Sequence, residues 1–421
     1  MRISLRTDRH LIRAHARSER HLLVNVIAPT AEPRAGRQPV NIALVLDRSG
    51  SMGGERKFAL AREAVEQALR MLHPEDRFTL VVYDDDVDVL VPVATATAEA
   101  KSLALSRLRD VDPRGSTDLH AGWTKGASQI AAGLTASSVS RVLLLTDGLA
   151  NAGVTEPSAL VATAVELRGQ GIATSTFGVG ADFDERLLRD LAHEGGGNFY
   201  FVETPVQIPD LLTSELGEAL EIVVRGAAIH LELPARADAT LLNRYRHQHV
   251  AGDALRIELG DLTSGQELSA VVKIRFATGQ VGGAAVATLR MVDRSGTSNV
   301  EAVEWRYDTH EANDAQARDV VVDREAASLY AARARAEATE ANRRGDFTRA
   351  RRVLERTVAR IRGYAHGDPA LEALWRELRD DIERYAEQAM SPMQLKSAVY
   401  VAESVGKGRA PDGRARRSPK P

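Results

Sequence analysis

The sequence predicts an α/β fold with a doubly wound, mostly parallel sheet, followed by an antiparallel β-sandwich and a C-terminal α-helical region. Short apolar runs alternate with amphipathic helical patterns between Val40 and Leu220, which is typical of a parallel sheet covered by helices. From Ala227 to Arg306, short alternating runs separated by Gly, Asp and Ser indicate antiparallel strands. Beyond Glu311 the chain is rich in Ala, Arg and Glu, which favours helices.

The α/β region begins with a predicted buried strand at Val40 to Leu46, because a short aliphatic run there ends in a polar turn. In the helix that follows, apolar residues recur every three or four positions, as in an amphipathic helix. The run from Phe78 to Val93 is predicted as a hairpin, which supplies one antiparallel edge strand. Further strands are predicted at 141–146, 173–179 and 198–202, and further helices at 99–108, 119–132, 157–168, 184–193 and 208–220.

The β-sandwich is predicted to include the N-terminus of the chain. Strand patterns at Ile3 to Leu5 and His21 to Ile27 are similar to those at 227–233, 255–259, 268–276, 284–292 and 300–306. We therefore expect the first strands to pair with the later ones, so that the α/β domain is an insertion. The predicted domains are residues 1–36 and 223–310 for the sandwich, 37–222 for the α/β domain, 311–404 for the helices and 405–421 for a tail.

The C-terminal region contains one helical hairpin, Ala331 to Ile361, which resembles a single tetratricopeptide-type hairpin. One hairpin is not an array, because stacking normally takes about three repeats. We therefore favour packing against the sandwich over peptide recognition as its role. The tail from residue 405 is rich in Gly, Pro and Arg and is predicted to be disordered and basic, which favours solvation over contact with an acidic partner.

Composition narrows the possible functions. The chain has 421 residues, which is longer than the length that a single hydrophobic core usually stabilises, so several domains are expected. Its formal net charge of −3 gives no reason to expect nucleic acid or an anionic membrane as a partner. The absence of cysteine excludes disulfides, thiolate metal sites and thiol nucleophiles. The charged N-terminus offers no signal-peptide core, and no apolar run approaches the roughly 18 residues of a membrane span. A cytoplasmic location is therefore expected.

The turn after the first α/β strand, Asp47 to Gly54, has several possible ligands. A phosphate-binding loop is excluded because no hydroxyl residue follows Lys57, and the dinucleotide-binding glycine pattern does not occur at this junction. A hydrolase nucleophile elbow is a near match, since Ser49 replaces its first glycine. Neither His120 nor His193 lies where that hydrolase fold places its histidine, which argues against hydrolysis.

A metal ion accounts for residues in other loops that the alternatives leave unexplained. Thr117 precedes a predicted helix and Asp147 follows a predicted strand, so both are expected beside Asp47 at the carboxyl ends of the strands, where doubly wound folds bind ligands. Hard divalent cations prefer carboxylate, hydroxyl and water oxygens. Each residue alone is more often a helix cap, but capping does not require the whole set. A second cation site at Asp84-Asp85-Asp86 is less favoured than a hairpin turn, where Asp is common.

Five residues of these loops resemble the metal-ion-dependent adhesion site of the von Willebrand factor A-type domain: Asp47, Ser49, Ser51, Thr117 and Asp147. The resemblance extends from Pro39 to Leu220. It implies a bound Mg²⁺, or Mn²⁺ or Ca²⁺, ligated directly by the two serines, with the threonine direct or through water. The two aspartates are implied to bind the ion or to orient its waters. Because two carboxylates neutralise a divalent ion, the ion can still accept an anionic oxygen.

The resemblance also implies a function. The open metal position suits a Glu or Asp side chain from a partner protein, so we expect a binding module for adhesion or complex assembly and not an enzyme. The expected partner-binding rim consists of Met52, His120 and Leu149. Similar proteins are associated with the assembly of multi-protein complexes, sometimes beside AAA-type ATPases or chelatase-like machines. In switching relatives ligand capture shifts a helix, which here is 184–193 or 208–220. The alternatives are a metal-assisted hydrolase and a scaffold whose helical hairpin carries the binding.

Overall fold

The computed structural model of the chain describes residues 1–30, 38–135, 138–250, 253–365 and 367–417, with the backbone alone at 297–299. These residues form two units, one of residues 38–222 and one that combines residues 1–30 with 223–417. The domain boundary predicted at residues 36 and 37 lies outside the described residues. No helix within these ranges is long and apolar enough to cross a membrane.

The elements are numbered in chain order. The strands are β1 (Arg2–Thr7), β2 (Leu11–Arg13), β3 (Ser18–Ile27), β4 (Val40–Asp47), β5 (Arg77–Tyr83), β6 (Val87–Thr95), β7 (Val139–Thr146), β8 (Ile172–Val179), β9 (Gly196–Val202), β10 (Ile222–Glu232), β11 (Asp238–Leu241), β12 (Arg246–Val250), β13 (Ala254–Thr263), β14 (Glu267–Phe276), β15 (Ala284–Asp293) and β16 (Gly296–Asp308). The α-helices are α1 (Lys57–Met71), α2 (Ala98–Arg109), α3 (Leu119–Ala131), α4 (Pro157–Gly169), α5 (Glu185–Glu194), α6 (Ile208–Leu220), α7 (His310–Ala315), α8 (Val320–Arg343), α9 (Phe347–Ala365), α10 (Pro369–Ala386) and α11 (Pro392–Gly406), with short 3-10 helices at Gly50–Arg56 and Pro205–Gln207.

The sheet of the α/β unit has the strand order β6-β5-β4-β7-β8-β9. Its neighbouring strands are parallel except for β5 and β6, which form an antiparallel hairpin at one edge. The two central strands, β4 and β7, are buried along their whole length, as expected of aliphatic runs covered on both faces. The predicted fold class is confirmed.

Register places the ends of the two central strands side by side. Leu46 of β4 pairs with Leu145 of β7 in parallel register. The next residues, Asp47 and Thr146, therefore reach the carboxyl edge of the sheet together, and both are fully buried. This edge is where the loops that carry the predicted metal ligands begin.

The second unit contains two sheets, with the strand orders β1-β3-β14-β11 and β12-β13-β10-β15-β16-β2. The N-terminal strands belong to both sheets, since β3 lies between β1 and β14 while β2 lies beside β16. The unit is mainly antiparallel, as predicted, and the short strand β2, which the sequence does not predict, adds a parallel pairing with β16 at one edge. Alternating hydrophobicity reports which face of a strand is buried but not the direction of its partner. Fully buried side chains between the strands include Ile12, Val24, Leu255, Leu289 and Trp305.

The helical region packs on the first of these sheets. Val322, Ala326 and Leu329 of α8 cluster with Leu23 of β3 and Val271 of β14. Helices α8 and α9 form a hairpin that turns at Gly345, whose φ of +72° lies in the left-handed region that glycine adopts without strain. Buried alanines on α8 and α9 allow the close approach of these helices: Ala334, Ala338, Ala341 and Ala350.

The prediction that the tail is disordered is wrong for residues 405–417. The backbone N–H of Glu267 in β14 donates to the carbonyl of Arg416 at 2.9 Å, and the hydroxyl of Tyr400 donates to the carbonyl of Asp412 at 2.6 Å. Arg409 is buried. The composition is typical of disorder, but it does not reveal that the start of β14 offers a backbone donor to which this segment can bind. The end of the predicted tail, residues 418–421, lies outside the described residues.

Candidate metal centre

Asp47 is fixed by hydrogen bonds from the turn after β4 and from the end of β7, at the carboxyl edge of the α/β sheet. One carboxylate oxygen, Oδ1, accepts the backbone N–H of Ser49 at 2.7 Å, which closes the turn after β4. The other oxygen, Oδ2, accepts the hydroxyl of Thr146 at the end of β7, also at short range, 2.6 Å. Because Asp47 is fully buried, these donors hold its carboxylate in one orientation.

The two serines of the turn link Asp47 to Asp147. The hydroxyl oxygens of Ser49 and Ser51 lie 3.1 Å apart, and the Ser51 hydroxyl donates to Oδ1 of Asp147 at 2.6 Å. Ser49 directly precedes the 3-10 helix at Gly50–Arg56 with an extended backbone, and Ser51 lies in its first turn. Four of the five predicted ligands are thus connected through direct hydrogen bonds.

Thr117 joins the set through the loop before α3. Its backbone N–H donates to Oδ1 of Asn151 at 2.8 Å, and its carbonyl accepts the N–H of Asn151 at 3.2 Å. A Cβ added at Gly148 would lie 3.4 Å from Oγ1 of Thr117 and 3.8 Å from Oγ of Ser51. The two hydroxyls therefore flank the small space that the missing side chain of Gly148 leaves open. The structure brings all five sequence-predicted residues together.

Lys57, the first residue of α1, is a member of the cluster that sequence reasoning missed. Its Nζ lies 2.6 Å from Oδ2 of Asp147, and its side chain is 11% exposed. Sequence reasoning used Lys57 only to exclude a phosphate-binding loop. The available signal was a lysine at the start of a helix, where a cation is disfavoured by the helix dipole and therefore needs another reason to be present.

Residues 41–214 match the von Willebrand factor type A domain family. The chain contains a von Willebrand factor type A domain. The chain is 25% identical over 241 residues to the uncharacterized protein YfbK of Escherichia coli strain K12, which covers 56% of this chain and 41% of that protein. It is 25% identical over 287 residues to the uncharacterized protein sll0103 of Synechocystis sp., which covers 63% of this chain and 65% of that protein. The matches thus span less than two thirds of the length of each relative.

A solved structure shares the fold of the chain beyond the type A domain. The protein described as von Willebrand factor type A from Catenulispora acidiphila matches with a TM-score of 0.70 at 18% sequence identity. The match covers 90% of this chain and 89% of that chain. The shared fold therefore includes strands and helices outside residues 41–214.

Burial sets the protonation behaviour of Asp47 in the type A domain. Desolvation raises the pKa of the Asp47 carboxyl to about 6, and hydrogen bonds from Ser49 and Thr146 oppose this shift. Tyr83 packs beside this carboxylate in β5, and burial raises the pKa of its hydroxyl. A buried carboxylate of this kind gains from a nearby cation, because a positive charge stabilises its ionised form.

The three residues predicted for the partner-binding rim differ in their exposure and direction. Leu149 is 54% exposed, and its role in partner binding stays a prediction. The prediction for Met52 is wrong, because the 3-10 helix turns its side chain inward and leaves it 0% exposed. His120 lies 3.3 Å from the hydroxyl of Thr163 and edge-on to Trp123, so its imidazole faces α4 and not the metal-site loops.

The acidic turn at Asp84-Asp85-Asp86 has counter-ions of its own. Asp84 binds Arg48 at 3.1 Å and Arg114 at 2.8 Å, while Asp85 accepts the backbone N–H of Ser116 at 3.0 Å. These contacts agree with a turn and an ion-pair network rather than with a second cation site. Within the described ranges, no group of three or more His, Cys, Asp or Glu side chains is arranged to hold a metal. The type A domain cluster instead combines two carboxylates with three hydroxyls.

The donor set fits a hard divalent cation. All five side chains offer oxygen, the two carboxylates carry charge opposite to the cation, and the space beside Gly148 is lined by two of the hydroxyls. Soft or redox-active metals prefer thiolate and imidazole ligands, which this cluster lacks among its five members. The chemistry of the donors therefore favours Mg²⁺, Mn²⁺ or Ca²⁺.

Proposed function

We propose that the type A domain is a divalent-metal-dependent protein-binding module whose metal accepts a carboxylate from a partner protein. The metal ligands are those that the sequence predicts: Asp47, Ser49, Ser51, Thr117 and Asp147. The observation that carries the proposal is the convergence of these five oxygen donors from three loops beside Gly148. Mg²⁺ is the proposed ion, with Mn²⁺ or Ca²⁺ as the alternatives.

The five proposed ligands contribute to metal binding in different ways. Asp47 and Asp147 supply the negative charge, and the donors from Thr146 and Lys57 hold their carboxylates in place. The serine and threonine hydroxyls add neutral oxygens that do not lower the charge of the site further. When bound, the metal supplies an electrophilic centre for an anionic oxygen from a partner.

We propose binding and not catalysis. His120, in the first turn of α3 after the Thr117 loop, places its Nε2 3.3 Å from the hydroxyl of Thr163. The exposed Leu149 next to Gly148 offers an apolar contact for a partner beside the metal. A cytoplasmic location, an AAA-type ATPase as partner and the alternatives of hydrolysis or hairpin-mediated binding stay predictions.

The test is calorimetric titration of Mg²⁺, Mn²⁺ and Ca²⁺ into chelator-stripped protein. We expect one equivalent of metal to bind the native chain and none to bind Asp47→Ala or Asp47→Asn. Asp86→Ala, which removes an exposed acidic side chain from the neighbouring turn, is the matched control and should bind normally. Pull-down with and without EDTA then identifies metal-dependent partners. Full metal-dependent partner capture by Asp47→Ala would contradict the proposal.

A further inference from the structure

We infer that Lys57 sets both the charge of the metal centre and the orientation of Asp147. It thereby lowers the affinity of the centre for its metal and raises the affinity of the metal-loaded centre for carboxylates. The inference rests on the proposed function, since it concerns the same centre. It identifies Lys57 as a positioning residue and a determinant of specificity that the five-residue pattern does not include.

The first observation is that the two oxygens of Asp147 have different partners. Oδ1 accepts the Ser51 hydroxyl at 2.6 Å, on the side of the predicted ligands, and Oδ2 faces Nζ of Lys57 at 2.6 Å. Asp147 is fully buried and Lys57 nearly so. At such short range and low exposure, the ion pair fixes the rotation of the carboxylate and leaves Oδ1 directed toward the serines.

The second observation is that helix α1 does not explain why a lysine begins it. A positive charge at a helix N-terminus opposes the helix dipole, and the first turn of α1 contains no acidic residue to offset it. The two residues before Lys57, Glu55 and Arg56, have φ values of +51° and +60°, in the left-handed region that is unfavourable for non-glycine residues. Both features cost stability locally, and the buried ion pair with Asp147 gives Lys57 a favourable interaction at this position.

The third step concerns charge. Asp47 and Asp147 together with Lys57 carry a net charge of −1, so a divalent cation would leave the centre at +1, whereas the five ligands alone would leave it neutral. Before metal binding, Lys57 reduces the negative charge of the site from −2 to −1, so the site attracts a divalent cation less strongly. After metal binding, the centre at +1 attracts a carboxylate more strongly than a neutral centre would. Lys57 therefore weakens metal binding and strengthens the capture of an acidic side chain or a C-terminal carboxylate.

The experiment compares the full-length native chain with Lys57→Met and Lys57→Arg. Mg²⁺ binding is measured by calorimetry, and acetate binding to the Mn²⁺-loaded protein by relaxation of the acetate methyl protons. We expect Lys57→Met to bind Mg²⁺ about tenfold more tightly and acetate about tenfold more weakly, whereas Lys57→Arg stays close to the native protein. Lys101→Met is the matched control, because Lys101 contacts the carbonyl of Leu72 at the opposite end of α1.

The outcomes separate this inference from the proposed function. If the native chain binds no metal, the proposed function fails whatever Lys57 does. If the native chain binds metal but Lys57→Met binds Mg²⁺ equally or more weakly, or binds acetate unchanged, the inference is overturned. A purely structural role would lower the unfolding midpoint and would not raise Mg²⁺ affinity. Lys57→Gln, which keeps a hydrogen-bond donor without the charge, repeats the test if Lys57→Met does not fold.

Discussion

Thr146 donates its hydroxyl hydrogen to Oδ2 of Asp47 at 2.6 Å, although the two residues belong to different strands. Thr146→Val keeps the shape of the side chain but leaves the buried oxygen without this donor. We expect a loss of about 1–2 kcal/mol in the free energy of unfolding and weaker Mg²⁺ binding, because Asp47 loses one of the donors that orient it. Urea denaturation and calorimetry measure the two effects. Thr146→Ser, which retains the hydroxyl, should restore Mg²⁺ binding, and failure to do so would show that the hydrogen bond is not responsible.

Gly122 allows α3 to pack directly on Tyr83. A Cβ at residue 122 would lie 2.3 Å from Cγ of the buried Tyr83 ring. Gly122→Ala should therefore destabilise the protein by about 1–3 kcal/mol, because the ring and the helix must move apart. Gly169→Ala is the control, since nothing lies within 4 Å of its added Cβ near the end of α4, and it should be neutral or stabilising by up to about 1 kcal/mol. Equal unfolding midpoints for the two variants in thermal denaturation would contradict this explanation.

Glu215 anchors α6 to the α/β sheet. Its buried carboxylate pairs with Arg141 of β7 and accepts the hydroxyls of Ser175 and Tyr200, each at 2.6 Å. Glu215→Ala removes one charge of a buried ion pair, so we expect the free energy of unfolding to fall by about 3–5 kcal/mol.

Hydrogen exchange should localise the effect of this change to α6. The hydrogen bonds of Glu215 hold α6 on the sheet, so their loss in Glu215→Ala should speed amide exchange in that helix. The same hydrogen bonds would oppose the predicted shift of residues 208–220 on ligand capture. Ser214→Ala, at the neighbouring position, should leave exchange unchanged. Unchanged exchange in Glu215→Ala would show that other contacts hold the helix.

His21 makes the stability of the sandwich and helical unit sensitive to acid. Burial, with a contribution from Arg318, lowers the pKa of His21 to about 4, and its Nε2 lies 3.0 Å from the hydroxyl of Tyr330. The unfolded chain binds this proton at an ordinary pKa near 6.5, so the folded state loses stability as pH falls from about 6.5 to 4, by about 3 kcal/mol in all. Above pH 6.5 the residue has no such effect.

NMR titration of the His21 ring and urea denaturation at pH 7.5 and 4.5 check this prediction. His21→Gln should reduce the loss of stability between the two pH values, because glutamine does not titrate. His10→Gln, at a histidine hydrogen-bonded to the carbonyl of Glu304, is the control and should leave the titration midpoint of the His21 ring unchanged. A His21 pKa near 6.5 would contradict the argument from burial.

Much of the fold could be predicted because the spacing of hydrophobic residues along the chain differs between strands and helices. The aliphatic runs of β4 and β7 and the helical spacing of α1 indicate their elements without tertiary information. The parallel pairing of β2 and the ordered segment near Arg409 could not be predicted in this way. Both depend on distant parts of the chain that supply partners, and single-residue composition carries no record of such partners.

The five proposed ligand residues could be predicted because they follow the ends of predicted strands and resemble, in type and order, the motif of the von Willebrand factor A-type domain. For Lys57 the sequence offers only an unusual lysine at the start of a helix, because its partner Asp147 lies 90 positions away in the sequence. Met52 was predicted at the exposed rim but is buried, because the sequence of a turn does not reveal which of its side chains points inward. Side-chain direction in irregular segments requires coordinates.

The position of β3 between β1 and β14 constrains the order in which the chain can fold during synthesis. The ribosome makes β3 early, but its partner β14 emerges only after the whole type A domain has been translated. The type A domain can thus complete its sheet while β3, already beside β1, still lacks β14 on its other side. Pairing of β3 with β14 is then a late step, and it costs loop-closure entropy because the two strands are far apart in sequence. The type A domain reduces this cost if it folds first, because only the residues outside the folded domain remain flexible.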